Sequence, residues 1–246
     1  MRSSNNILGR VHSIDTYSTL DGFGIRSVVF MQGCDLRCIY CHNPDTWNKC
    51  NGTEMSVKDI VTKLHNYIDY YGNNGGVTFG GGEPLLQASF VNACVKEFAK
   101  LNVKCAIETS GNVELNQDIK DLVTKLDFVI CDLKFSNAED YKKYANADMG
   151  KTLKFVRFLE ANNIPLWIRT VVVPGINDNE KALIRYQDIV KGLSNVIRWE
   201  LLPLSKLGFG KYESLGIVNR LIDVEDLDMT KFKQLQEKFE IKNSKR

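Results

Sequence analysis

The chain has 246 residues, 43% of them hydrophobic and 25% charged, the composition of a globular protein that buries one substantial core. With a net charge of +2, its basic residues lie beside acidic ones, which argues against a nucleic-acid footprint. No apolar run approaches the ~18 residues of a membrane span, so a membrane partner is not expected either.

The polar start, Met1 to Asn6, lacks the apolar core of a secretory signal. Together with seven cysteines this points to a reducing cytoplasm, and an odd count in a chain of this size speaks against a disulfide framework. The first β-rich run is Arg26–Met31, and later ones are Gly76–Gly80, Val103–Glu108, Asp127–Leu133, Leu166–Val173 and Val196–Leu202. Helical periodicity fills the gaps between them. Val57, Ile60, Val61, Leu64 and Ile68 form one apolar stripe behind a candidate N-cap, Ser56. Val91, Cys94, Val95, Phe98 and Leu101 form the next. Asn177, with Glu180 three residues on, resembles a capping box for a later helix, and the basic stretch from Lys231 to Arg246 reads as a solvated helix face. Such alternation implies a parallel sheet with covered faces, and periodicity alone does not choose between a doubly wound sheet and a barrel.

Alternation within strands places charge at their C-terminal ends. Phe128, Ile130, Asp132 and Lys134 share one face, and so do Lys104, Ala106 and Glu108. Strand C-terminal ends are where α/β folds carry their sites, although a salt-bridged edge explains either pattern alone. Cys94, Cys105 and Cys131 fall on apolar faces as inert core thiols, and Cys50 lies in a polar loop as a bystander.

The chemistry concentrates in Cys34-Asp-Leu-Arg-Cys38-Ile-Tyr-Cys41, three thiols within eight residues. Thiolates are soft ligands for iron–sulfur clusters or zinc. A four-iron cube held by three leaves one iron open to another molecule, and Tyr40 is placed to shield it. Zinc would need His42 or Cys50 as a fourth ligand. A second element, Gly80-Gly-Gly-Glu83-Pro84, closes the second β-rich run. Bare amides and a carboxylate there could grip an ammonium group.

In this order the two motifs resemble the radical S-adenosylmethionine (SAM) superfamily, and within it the pyruvate formate-lyase activating enzyme family of glycyl-radical-enzyme activases. The likeness runs from about Leu8 to Tyr212. It includes Asp21-Gly-Phe-Gly-Ile-Arg26, Gln32-Gly-Cys34, Tyr40-Cys-His-Asn43, Gly81-Gly-Glu83, Asp132-Leu133-Lys134, Trp167-Ile-Arg169 and Glu200-Leu-Leu-Pro203.

The resemblance implies an α/β fold, a partial (β/α)6 barrel of the radical SAM type in a single domain over 1–246. The core would span about 20–205, with an N-terminal hairpin at 8–20 and a C-terminal helix at about 228–240. It implies that Cys34, Cys38 and Cys41 hold a [4Fe-4S] cluster on whose open iron SAM is bound and reductively cleaved. The resulting 5′-deoxyadenosyl radical takes a hydrogen from a backbone glycine of the partner, here pyruvate formate-lyase. By the same likeness Tyr40, Cys41 and His42 line the adenine, and Gly81, Gly82 and Glu83 meet the methionine amino group. Asp132, Leu133, Lys134 and Arg169 lie beside the carboxylate and ribose. Glu108, Thr109 and Asp132 match the ligand positions of a monovalent cation, with a glutamate at Glu108 where the family has an aspartate. Asp21 and Arg26 fall in the segment that meets the partner's glycine loop. Where the family has a cofactor-contacting histidine after Leu-Pro, this chain has Ser205. A flavodoxin or ferredoxin is the implied electron donor, and a monomer is expected. Absence of an eight-cysteine insert between Cys50 and Cys94 favours the minimal formate-lyase type. The alternative is a radical SAM enzyme acting on a small molecule.

Overall fold

A computed structural model describes residues 7–241, so the polar start at Met1 to Asn6 and the last part of the basic C-terminal stretch lie outside the described residues. By its internal contacts the chain divides into two compact units. The first comprises the residues up to Asp35, Thr46–Thr109 and Val113–Ile130, and the second comprises Leu36–Asp45, Ser110–Asn112 and the residues from Cys131 on.

In the first unit, β1 (Leu8–Ser18) runs antiparallel to both β2 (Arg26–Met31) and the short β3 (Thr53–Ser56). The order then continues β2-β4-β5-β6, with β4 (Gly76–Gly81) parallel to β2 and β5 (Lys104–Thr109) parallel to β4. Every residue of β2 except Phe30 is buried, as befits a strand covered on both faces. Helix α1 (Val57–Leu64) starts where Ser56 and Asp59 cap each other reciprocally, so aspartate fills the position that glutamate usually takes in such a box. Helices α2 (Ala88–Lys100) and α3 (Gln117–Val123) follow β4 and β5, and α2 buries Val91, Cys94, Val95 and Phe98 as its stripe predicts.

Strand β6 (Phe128–Asp132) begins in the first unit and ends in the second. The second unit continues with a single turn α4 (Ala138–Asp140), a π-helix over Tyr141–Ala145, α5 (Met149–Ala161) and β7 (Leu166–Val172). After these come α6 (Glu180–Lys191), β8 (Val196–Pro203) parallel to β7, α7 (Phe209–Ser214) and α8 (Met229–Phe239). Asn179, not Asn177, caps α6 by accepting from the Ala182 amide. The Asn177 side chain is spent inside the loop, on the Val173 amide, the Val171 carbonyl and the Tyr186 hydroxyl. A buried amide is drawn to unpaired backbone, which outweighs its preference for a cap.

The chain order thus holds six strands, β2 and β4 to β8, in alternation with helical segments, a mixed α/β fold of the kind expected. Among the described residues no helix is long and apolar enough to cross a membrane.

Candidate active site

The residues singled out by sequence divide between the two units. In the first, β2 is followed by Gln32, Gly33 and Cys34, and β4 ends in the glycine turn. These two turns are laced together: the Gly82 amide donates to the Met31 carbonyl at 2.9 Å, and the Glu83 amide to the Gly33 carbonyl at 2.8 Å. A Cβ on Gly82 would stand 2.3 Å from the Gly33 oxygen, so only glycine permits this approach. On the other side the Gly33 amide donates to the Thr46 carbonyl at 2.7 Å.

Glu83 is almost fully buried. Its Oε1 accepts from the Thr109 hydroxyl at 2.5 Å and from the Leu85 amide at 3.2 Å. Thr109, matched by sequence to a cation site, therefore also fixes the glutamate of the glycine turn. Glu108, its neighbour on β5, is half-buried.

Arg26, expected with Asp21 in the segment that meets the partner's glycine loop, has no exposed surface in this structure. Its Nε donates to Thr78 Oγ1 at 2.6 Å, one terminal nitrogen donates to the Val77 carbonyl at 2.9 Å, and the guanidinium lies 5.2 Å from the centre of the Phe128 ring. Burial lowers its pKa to about 10, and nearby Cys105, Asp127, Tyr71 and Asp21 oppose that shift. A charged residue at the start of a strand looks like surface in a sequence, so nothing local signalled this burial. The Thr78 hydroxyl in turn donates to the Asp21 carbonyl at 2.7 Å, while the Asp21 carboxylate accepts from the Ser18 hydroxyl. Arg26 is thus linked to the Asp21 backbone through the Thr78 hydroxyl.

The second unit gathers Cys38, Tyr40, Asp132 and Lys134. The Lys134 ammonium donates to Asp132 at 2.7 Å and lies 5.8 Å from the centre of the Tyr40 ring. Burial by itself would lower the Lys134 pKa, but Asp132, Tyr40 and Cys38 outweigh it and hold the value well above normal. Cys38 is 7% exposed, and burial pushes its thiol up to about 12 although Lys134 pulls the other way. Such a buried thiol ionises when a metal takes the proton's place. No disulfide joins any two of the seven cysteines among the described residues. The chemistry around Cys38 therefore fits a thiolate ligand of a cluster: a soft sulfur donor, a cation near it and burial. Cys94, Cys105 and Cys131 are buried as core thiols, and Cys50 is exposed. Burial raises Cys105 to about 12, which keeps it inert.

Arg169 stands on β7 with its Nε 3.2 Å from Glu200 on β8, and its carbonyl accepts from the Leu133 amide at 2.9 Å. Arg169 and Arg198 both lie against Trp167, 4.9 Å and 4.2 Å from the ring centre. Ser205 follows β8. Its carbonyl lies 2.9 Å from His42 Nε2, and its hydroxyl accepts from the Leu207 amide at 3.4 Å. The contact with His42 runs through the Ser205 backbone, so it does not depend on the residue type at 205. The Ser205→His variant should therefore bind SAM as well as the parent or tighter, by ~0.5–1.5 kcal/mol where the ring stacks on adenine. Anaerobic calorimetric titration measures this, and weaker binding would mean that the 205 side chain is directed away from the cofactor.

The sequence reading missed Tyr212, whose hydroxyl donates to the Cys41 carbonyl at 3.0 Å, and Lys211, 3.0 Å from both Asn43 and Asp45. Partners 166 to 171 residues apart leave no local signal.

A family model described as the radical SAM superfamily matches residues 28–186. The chain is 38% identical over 231 residues to the pyruvate formate-lyase-activating enzyme of Clostridium pasteurianum, covering 94% of this chain and 96% of that one. It is 37% identical to the pyruvate formate-lyase 1-activating enzyme of Escherichia coli, covering 86% and 87%. Among solved structures, a domain of a pyruvate-formate lyase-activating enzyme from Bacteroides vulgatus superposes with a TM-score of 0.53 at 21% identity, over 66% of this chain and 91% of that one.

Proposed function

This chain belongs to the radical SAM superfamily and, within it, to the family of pyruvate formate-lyase-activating enzymes, and on that premise we propose that it installs the glycyl radical of a pyruvate formate-lyase. Its cofactors are a [4Fe-4S] cluster and SAM, which when bound supply a 5′-deoxyadenosyl radical able to take a hydrogen from glycine. The observation that carries the reading is the near end-to-end match to activases of that name.

Cys34, Cys38 and Cys41 would hold the cluster. Gly81, Gly82 and the buried, Thr109-braced Glu83 would receive the methionine amino group. Lys134, held charged by Asp132, would meet the carboxylate, with Arg169 and the backbone of Leu133 beside it. Tyr40, Cys41 and His42 would line the adenine, with Ser205 next to His42. Glu108, Thr109 and Asp132 are the proposed ligands of a monovalent cation. Asp21 would bind the extruded backbone of the partner, whose amides and carbonyls are otherwise unpaired. We place the protein in the cytoplasm, working as one radical SAM domain and a monomer, with a flavodoxin or ferredoxin as its electron donor.

Anaerobic mixing with pyruvate formate-lyase, SAM and a reductant should give the doublet of a glycyl radical in electron paramagnetic resonance, alongside 5′-deoxyadenosine. Active SAM cleavage without a doublet from any glycyl-radical partner would transfer the assignment to a small-molecule substrate.

A further inference from the structure

The segment Leu36–Asp45 carries two of the three proposed cluster ligands, yet only Pro44–Thr46 at its end forms regular structure, a single 3-10 turn. A segment without a ladder must find partners elsewhere for the amides and carbonyls it buries. On the Cys38 side the π-helix supplies them: its Ala145 and Tyr144 carbonyls accept from the Arg37 and Ile39 amides at 2.8 Å and 2.9 Å. The last carbonyls of a helix have no partner within it, and here they are the ones used. On the Cys41 side the partners come from the stretch after β8. Tyr212 donates to the Cys41 carbonyl, Lys211 reaches Asn43 and Asp45, and Gly208 lies so close that a Cβ would stand 2.8 Å from the His42 Cα.

We propose that Tyr212 and Lys211 are positioning residues for the cluster, holding the Cys41–Asp45 half of the cysteine loop so that the cube is released slowly. Tyr212 is the stronger of the two. Its ring is 3% exposed and its hydroxyl fixes the carbonyl of a proposed ligand itself. Lys211 is 39% exposed and fixes the two residues that follow His42. This rests on the assignment of Cys38 and Cys41 as cluster ligands, and its test separates the two ideas.

The experiment uses the anaerobically reconstituted holoenzyme, with the Tyr212→Phe and Lys211→Met variants, their combination, and Tyr70→Phe as a control at an exposed tyrosine. Iron per chain, the decay of cluster absorbance under excess iron chelator, and the melting temperature of the apoprotein are measured. Tyr212→Phe keeps the buried ring and removes one hydrogen bond. It should load iron fully, yet lose the cluster about three- to tenfold faster, with the double variant faster still. The control should match the parent, and the Tyr212→Phe apoprotein should melt near it. Cluster loss within twofold of the parent in both single variants and the double would overturn the proposal. So would a lowered apoprotein melting temperature in Tyr212→Phe with no change of release in Lys211→Met, because Tyr212 would then serve the fold alone. Cys38→Ala tests the other idea: if it retains its iron, the ligand assignment fails, whatever the clamp variants do.

Discussion

Replacing Cys34, Cys38 or Cys41 by Ala will abolish both iron loading and SAM cleavage, whereas replacing Cys50 will do neither. The parent should carry about four iron per chain after anaerobic reconstitution. A cube left with two thiolates is not held firmly, so the loss should be all but complete at each of the three positions. Iron analysis and release of 5′-deoxyadenosine are the readouts. Cys94→Ala is the informative contrast, because that thiol is wholly buried on α2. It should cost roughly 1–2 kcal/mol of stability as a cavity and leave the cluster intact. If Cys50→Ala stripped the metal as fully as Cys34→Ala, a four-cysteine site would replace the three-ligand assignment.

The second large effect is expected at Asp21. Hydrogen abstraction needs the target glycine close to the SAM 5′ carbon, so the partner must lend an extruded loop and something must hold it. Asp21→Asn keeps the size of the side chain and its contact with Ser18, and removes the charge. It should leave uncoupled SAM cleavage nearly unchanged while the glycyl-radical yield falls by an order of magnitude or so, the effect of losing a charge-assisted hydrogen bond. Spin counting alongside 5′-deoxyadenosine release reads both quantities from one sample. Equal loss of the two would assign Asp21 to the cofactor or the fold. Arg26→Met is the opposite case. It leaves Thr78 and the Val77 carbonyl without their buried donor, so it should lower the melting temperature and both activities together.

Legibility from sequence followed the range of the forces. β2 lies where its run of branched and apolar residues put it, and β4 to β8 fall within a residue or so of expectation at each end. Those signals are local, since covered parallel strands must be continuously apolar. β3 was not expected, because Thr53-Glu-Met-Ser56 is polar and becomes a strand only by pairing with β1. The π-helix was invisible for the same reason: its five residues carry no period that separates them from a loop. In the candidate site, the motifs drew attention to the three cysteines and Glu83, and alternation put Asp132 and Lys134, which form an ion pair, on one face. It gave nothing about who holds those residues. Thr109 under Glu83 and Tyr212 over Cys41 are contacts made by the finished fold.

The buried guanidinium under the β1–β2 connection has a consequence for how such an enzyme could change partners over evolutionary time. The connection stands on a fixed footing: Arg26 through Thr78 to the Asp21 carbonyl, and Phe23 edge-on to Phe128. Toward solvent, Leu20 of the connection is 78% exposed and Tyr17, at the end of β1, 61%. Drift can therefore proceed at the tip without disturbing the base. On the proposal that Asp21 holds the partner's loop, a few surface changes here would readdress a duplicated gene copy to a different glycine segment, long before any residue of the radical chemistry is touched.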